Sequence, residues 1–144
     1  MSRIKIDLPE KFSFSALIPV RIQDVNYGGH VGNDAVLSIL HEARMQYLRH
    51  IGCSELDAAG VSMIMADVAI VYKGEGFHGD IFEVELAAGD FTTRGFDLFY
   101  KVYTTREDGA RRSIAEAKTG MLCFDYQSGK VVSLPDALKE KLSR

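Results

Sequence analysis

The chain has 144 residues, of which 47% are hydrophobic and 26% are charged, and this balance is typical of one globular domain with its own core. Its formal net charge of −3 argues against a general basic surface for nucleic acid, and no apolar run approaches the roughly 20 residues of a membrane span. The N-terminus lacks a signal-peptide pattern, and Cys53 and Cys123 suggest no disulfide framework. The composition therefore predicts a cytoplasmic enzyme or binding domain.

The first predicted element is a strand over residues 12–23. Apolar residues recur there at every second position, which indicates a strand with one buried face. The apolar series is Phe12, Phe14, Ala16, Ile18, Val20 and Ile22. Because Pro19 has no N–H to donate, we expect this strand to lie at a sheet edge or to break at that residue.

A glycine-rich turn over residues 21–34 comes next, directly before a helical pattern. It contains a carboxylate at Asp24, an amide at Asn26 and an imidazole at His30. A glycine turn that opens a helix leaves backbone N–H groups pointing outward, beside the positive end of the helix dipole. This arrangement suits a carbonyl oxygen that becomes negative during a reaction.

The helical pattern itself runs over about residues 33–50. Asn33 and Asp34 are both good N-cap residues, and Gly52 is well placed to end the helix. One stripe of the helix is apolar and consists of Val36, Leu37, Leu40, Ala43, Tyr47, Leu48 and Ile51. Arg44 lies near the edge of this stripe, and we expect it to need an acidic partner.

Four strand patterns follow the helix. They cover residues 63–72, 82–86, 96–103 and 112–125. The first is almost continuously apolar, which is typical of a strand buried on both faces, although Asp67 interrupts it. Pro135 and Asp136 then start a short terminal helix. Consecutive strands joined by tight turns favour an antiparallel sheet, so we predict an α+β fold with about five strands wrapped around one long helix.

These pieces, in this order, resemble the hotdog-fold acyl-CoA thioesterases of the 4-hydroxybenzoyl-CoA thioesterase-like branch. The residues that carry the resemblance are Asp24-x-Asn26-x-x-Gly29-His30-Val31-x-Asn33, Leu37, Glu42-Ala43-Arg44, Gly79-Asp80, and residues 117–124 and 129–135. The resemblance covers roughly residues 12–142. It implies a curved sheet around the helix, in a single hotdog domain over residues 1–144. It also implies a homodimer, often paired again into a tetramer, with active sites at the dimer interface.

The resemblance further implies hydrolysis of an acyl-CoA or acyl-carrier-protein thioester. The turn of this branch usually carries a second Asp, as nucleophile or base, where this chain has Asn26. A neutral amide cannot accept a proton at physiological pH, but it can orient water or hydrogen-bond the thioester. In one interpretation Asn26 does this while His30 or Asp24 is the base. In a second, Glu42 or Asp67 supplies the carboxylate, and in a third the chain binds acyl-thioesters without cleaving them.

Further residues are predicted to bind the substrate. Backbone N–H groups at Gly29 or His30 would hold the carbonyl. The other candidates are Tyr27 and Gly28 in the turn, Asp67 on a strand, and Lys73 and Arg94 for the coenzyme A phosphates. The histidines show no metal-ligand spacing, so neither a metal nor another cofactor is predicted. A hotdog hydratase or dehydratase, which typically pairs His with a carboxylate, is a further alternative.

Overall fold

The structure is a computed structural model that describes residues 3–144, and its strands form one antiparallel sheet. The elements in chain order are β1 (Phe14–Pro19), a single 3-10 turn (Ile22–Asp24), α1 (Asn33–His50), β2 (Ser62–Tyr72), β3 (Ile81–Gly89), β4 (Gly95–Thr105), β5 (Arg111–Asp125), β6 (Lys130–Val131) and α2 (Asp136–Leu142). The sheet order is β1-β3-β4-β5-β2, and the short β6 pairs with β5. The strands β1 and β2 therefore form the two edges.

The long helix α1 packs its apolar stripe against the sheet. Its buried residues include Val36, Ile39, Leu40, Ala43, Tyr47 and Leu48, and they share one core with residues of β1, β3, β4 and β5. The predicted bounds of this helix are confirmed. The predicted N-cap is wrong, because Gly32 occupies that position and Asn33 is the first helical residue. Gly32 has no side chain with which to cap the first turn of α1.

The apolar strand β2 is exposed where burial on both faces was predicted. Residues 65–68 in its middle are all exposed, with Met65 at 39% and Val68 at 38%. The reason is its position: β2 pairs only with β5, so its other edge has no neighbouring strand within residues 3–144. A shift in the β2–β5 register between Met65 and Asp67 marks a bulge at the same place.

The first strand behaves as predicted up to its end. Ala16 and Ile18 are buried, β1 lies at a sheet edge, and Pro19 is its last residue. The predicted continuation to residue 23 is wrong, because the chain turns into the 3-10 turn. Ile22 lies in that turn and is 70% exposed instead of facing the core.

Arg44 has the acidic partner that its position on α1 requires. Its Nε donates to Glu55 Oε2 at 3.3 Å and its Nη1 donates to Tyr100 Oη at 3.2 Å. The Tyr100 hydroxyl also shares a hydrogen bond of 2.8 Å with Thr119 Oγ1. Glu55 in turn contacts His41 Nε2 at 2.8 Å. These residues, Arg44, Glu55, Tyr100, Thr119 and His41, are called the Arg44 network below.

Between residues 3 and 144, neither α1 nor α2 combines the length and the apolar character that a bilayer-crossing helix requires.

Candidate active site

The turn at the head of α1 is closed by its own backbone. The Asn26 N–H donates to His30 O at 2.8 Å, and the Gly29 N–H donates to Asn26 O at 3.0 Å. Gly29 has a φ of 83°, a left-handed conformation in which a side chain would be strained. The Gly32 N–H donates to Asp24 O at 3.0 Å and so ties the end of the turn to its beginning. The turn therefore presents its side chains from a fixed backbone.

The side chain of Asn26 uses its oxygen inside this turn. Oδ1 accepts from the Gly28 N–H at 3.0 Å and, in a longer contact, from the His30 N–H at 3.4 Å. Because two donors surround Oδ1, the group that Asn26 has left for a ligand is its Nδ2 amide, which only donates. Asn26 can therefore hydrogen-bond a carbonyl oxygen, but it cannot accept a proton from water.

The backbone donors available in this region belong to the first turn of α1. The N–H groups of Gly29 and His30, which were predicted to hold a carbonyl, both point to Asn26 instead. The first helical hydrogen bond of α1 runs from the Val36 N–H to Gly32 O at 3.2 Å. The three N–H groups before Val36, at residues 33–35, form no hydrogen bond within residues 3–144 and lie at the positive end of the helix dipole.

The imidazole of His30 lies between the turn and the loop that follows β2. Its Nδ1 is 3.3 Å from Glu75 Oε2, and this solvent-shielded nitrogen forms no hydrogen bond within residues 3–144. The ring packs on Phe77 with a centroid distance of 5.1 Å. Nε2 forms no hydrogen bond to any of residues 3–144, so it can serve as a base.

Asp24 is placed differently from the other two catalytic candidates. Its side chain is 6% exposed, and its Oδ2 accepts from the Arg21 N–H at 2.9 Å. The Arg21 guanidinium Nε lies 3.6 Å from the same oxygen. The carboxylate thus closes the 3-10 turn through its contacts with Arg21, and it is shielded from solvent.

The loop over residues 73–80 is fixed to the turn and to the end of β4. The Val31 N–H donates to Gly76 O at 2.8 Å, and a Cβ at Gly76 would collide with the ring of Phe82. Arg106 anchors the other side through Nη2, which donates to Glu75 O at 2.7 Å and to Asp80 Oδ2 at 3.0 Å. The position of Glu75 beside His30 therefore depends on backbone contacts from two directions.

Asp80 is the most constrained carboxylate of this loop. Burial raises its pKa, but the hydrogen bond from Arg106, the Phe77 N–H at 2.9 Å and the Arg106 charge together hold that pKa below its usual value. The Arg106 guanidinium also lies over the Phe77 ring, 5.0 Å from its centroid. The ring that supports His30 is thereby held by Arg106 and Asp80.

The end of β2 contacts the start of α1 through Tyr72. Its hydroxyl donates to Asn33 O at 3.0 Å, while the ring is 45% exposed. Burial, followed by the charge of Asp34, raises the pKa of Tyr72. Tyr27 at the tip of the turn is fully exposed. The turn and the start of α1 therefore each have an exposed aromatic ring beside them.

The two predicted coenzyme A ligands lie at opposite ends of the sheet. The Lys73 N–H donates to Ile114 O at 2.8 Å, and the Cys123 N–H donates to Arg94 O at 2.9 Å. Those β5 residues are nine positions apart, which is about 30 Å at roughly 3.3 Å per residue. Lys73 follows Tyr72 and so lies near the turn, whereas Arg94 of the same chain does not.

The two alternative carboxylates also lie apart from the turn. Asp67 is exposed in the middle of β2, five residues and about 17 Å from Tyr72, and its carboxylate lies against Gly120. Glu42 lies in the middle of α1, where it accepts a hydrogen bond of 2.8 Å from Gln46. Together with Leu17 and Ser38, Glu42 lines a surface cavity of about 250 Å³ beside β1.

Three residues of this region were not among the predicted ones: Glu75, Phe77 and Arg106. Glu75 lies in the sequence between Gly74 and Gly76, and only this placement of an acid between two glycines after a strand could have indicated it. Its proximity to His30 is a contact across 45 residues of chain, which no local pattern predicts. Within residues 3–144 no cluster of histidine, cysteine and acidic side chains could hold a metal ion.

Comparison with known proteins gives consistent matches. The model of the thioesterase-like superfamily matches residues 20–142 of this chain. The chain is 27% identical over 126 residues to the 1,4-dihydroxy-2-naphthoyl-CoA hydrolase of Microcystis aeruginosa, a match that covers 85% of this chain and 88% of that protein.

Two solved structures share the architecture. A 1,4-dihydroxy-2-naphthoyl-CoA thioesterase from Synechocystis matches with a TM-score of 0.78 and 20% identity, over 90% of this chain and 94% of its own. The 4-hydroxybenzoyl-CoA thioesterase of Pseudomonas sp. strain CBS-3 matches with a TM-score of 0.80 and 14% identity, over 91% and 99%. The predicted hotdog fold is confirmed.

Proposed function

The chain belongs to the thioesterase-like superfamily, and from this premise we propose that it hydrolyses an acyl-CoA or acyl-carrier-protein thioester to a carboxylic acid and a thiol. The observation that carries the proposal is the head of α1, where the Asn26 amide, the His30 imidazole and free backbone N–H groups lie together. All three of the similar proteins described above are named for acyl-CoA hydrolysis, which supports this substrate class.

The reaction assigned to this site begins with the thioester carbonyl. Asn26 Nδ2 and the N–H groups at the start of α1 would donate to its oxygen and stabilise the negative charge that develops there. A water molecule would add to the carbonyl carbon while His30 Nε2 takes one of its protons. The C–S bond then breaks with its electron pair on sulfur, and the sulfur takes the proton back from His30. No metal or other cofactor enters this scheme.

His30 is preferred over the other bases for a geometric reason. The Asp24 carboxylate is turned toward Arg21, and Glu42 and Asp67 lie on other parts of the surface. His30 is 38% exposed and carries an imidazole, the side chain that most often acts as a general base.

The exposed edge of β2 supports the further proposal of a homodimer. A free strand edge with apolar side chains such as Met65 and Val68 can pair with a second copy through backbone hydrogen bonds. Antiparallel pairing of two β2 strands would bring the Arg94 end of one copy to the Lys73 end of the other. The two predicted coenzyme A ligands would then meet across the interface, and a further pairing of dimers would give a tetramer.

The proposed location is the cytoplasm. Cys53 and Cys123 are both free thiols, and free thiols fit a reducing compartment.

The activity is tested with the pure protein, a panel of aliphatic and aromatic acyl-CoAs and a thiol reagent. We expect thiol release well above the rate without protein for at least one acyl group. If no acyl group supports release but acyl-CoA raises the melting temperature, the chain is a binding protein and the hydrolase proposal is wrong.

The pairing of His30 with Glu75 gives one specific reason to keep a second candidate, a hotdog hydratase or dehydratase. Enoyl-CoA hydration, followed by the loss of enoyl absorbance, separates this activity from hydrolysis because no thiol is released.

The dimer is tested by placing a charge on the β2 edge. We expect Val68→Lys to convert the dimer into a monomer in sedimentation velocity, because it would place a positive charge from each copy in an apolar strand pair. The matched control is Leu17→Lys, which changes an exposed apolar residue on the opposite edge strand β1 and should leave the dimer intact. If the Val68 variant remains a dimer, the β2 edge is not the dimer interface.

A further inference from the structure

We propose that Glu75 is a positioning residue, which orients the His30 imidazole so that Nδ1 carries the proton and Nε2 is free to act as base. The proposal rests on the proposed function only for its effect on rate. The contact itself, 3.3 Å between Nδ1 and Glu75 Oε2, is a property of the protein without substrate.

Among residues 3–144, Glu75 places a carboxylate oxygen within reach of Nδ1. Nδ1 is shielded from solvent and forms no hydrogen bond in this part of the chain, although a shielded polar atom normally has one. The Phe77 ring covers one side of the imidazole and supplies no acceptor atom. A small rotation of the exposed Glu75 side chain would turn the present contact into an Nδ1–H···O hydrogen bond. Such a bond fixes the tautomer and favours the imidazolium that forms when Nε2 takes a proton.

The charged groups around the ring point to the same assignment. Glu75 faces it from the loop after β2, and Arg106 at the end of β4 lies behind Phe77 and not against the imidazole. Asp24 in the preceding turn accepts a hydrogen bond from the Arg21 N–H. The charge of Asp34 at the start of α1 contributes to the raised pKa of Tyr72. Glu75 is therefore the carboxylate that the geometry assigns to His30.

The fold holds the backbone of Glu75 firmly although its side chain is 67% exposed. Arg106 Nη2 donates to Glu75 O, and the neighbouring Gly76 O accepts from the Val31 N–H, one residue after His30. On the other side, Gly74 lies so close to Ser113 O that a Cβ would be only 2.5 Å from it. An exposed His–Glu pair adds little to folding stability, so the effect of this arrangement is expected in catalysis.

The test compares Glu75→Gln with Glu10→Gln, which removes an exposed carboxylate outside this region. We expect Glu75→Gln to lower kcat at least about 10-fold, as part of the 10²–10⁴-fold that a general base supplies, with little change in KM. The melting temperature of Glu75→Gln should equal that of the wild type. Glu10→Gln should match the wild type in kcat, in KM and in melting temperature.

Nitrogen-15 NMR of the imidazole gives a readout that needs no substrate. We expect the Nδ1–H tautomer of His30 to predominate in the wild type and to decrease in Glu75→Gln. An unchanged tautomer ratio would overturn the role of Glu75. If the wild type releases no thiol from any acyl-CoA, the proposed function fails, and the NMR comparison still decides the role of Glu75.

Discussion

Polar groups in the middle of α1 are paired with other protein groups, whereas several polar groups at its head are available to a ligand. In the middle, Arg44 is 4% exposed, and its Nε and Nη1 donate to Glu55 and to Tyr100. At the head, the Asn26 Nδ2, the His30 Nε2 and the first helical N–H groups form no hydrogen bond within residues 3–144. Buried polar groups must be paired because desolvation is costly, so the Arg44 network stabilises the fold. Unpaired groups near the surface are available to a ligand instead.

Substitutions in the Arg44 network are expected to have the largest effect on stability. Glu55→Ala should lower the free energy of unfolding by about 3–5 kcal/mol, because it leaves the buried Arg44 guanidinium without its carboxylate. A domain of this size is stable by only about 5–15 kcal/mol, so the loss is readily measured by urea denaturation. Thiol release per folded molecule should stay unchanged, since Glu55 does not contact the head of α1.

Two further variants sharpen this prediction. Glu42→Ala removes an exposed glutamate of the same helix and should change stability by no more than about 0.5 kcal/mol. Glu55→Gln keeps the shape of the side chain and one hydrogen-bond acceptor. Its free energy of unfolding should lie between those of Glu55→Ala and Glu42→Ala, and it can be measured even if Glu55→Ala does not fold. Equal stabilities for Glu55→Ala and Glu42→Ala would show that the network does not stabilise the fold.

At the head of α1 the expected effect is on rate. Asn26→Ala should lower kcat about 10²–10³-fold, because it removes a donor to the developing oxyanion. The free energy of unfolding should fall by only about 0.5–1.5 kcal/mol, the usual value of a hydrogen bond such as the one from the Gly28 N–H. Gln46→Ala, which truncates an amide in the middle of α1, serves as the control for both measurements. A wild-type kcat in Asn26→Ala would show that another group, and not Asn26, stabilises the oxyanion.

This contrast between the two regions also separates what the sequence could predict from what it could not. The bounds of α1, the edge position of β1 and the acidic partner of Arg44 follow from periodicity, from Pro19 and from the cost of burying a charge. The position of β2 does not, because an apolar run looks the same whether a strand is covered by its own chain or by a second copy. The run from Met63 to Tyr72 therefore predicts a strand buried on both faces, whereas β2 is an exposed edge.

The candidate site divides in the same manner. The turn that carries Asn26 and His30 is local in sequence, and its composition identified it. The directions of its hydrogen bonds are not local information: the N–H groups of Gly29 and His30 point inward, and this leaves the donors of residues 33–35 as the free ones. The contact of His30 with Glu75 depends on how the loop after β2 returns to the turn, which is a property of the assembled sheet.

The smallest predicted effect concerns the loop that supports Phe77 and Glu75, and it depends on pH. The Asp80 pKa lies below its value of about 3.9 in an unfolded chain. A depressed pKa contributes stability above the unfolded value, and this contribution is lost as the pH falls through the folded value. Melting temperatures of the wild type and Asp80→Asn should therefore differ most near neutral pH and converge below about pH 4, whereas Glu10→Gln should follow the wild type throughout. A constant difference between the wild type and Asp80→Asn from pH 7 to pH 3 would mean that Asp80 supports the loop through shape alone, and that its charge pair with Arg106 contributes nothing.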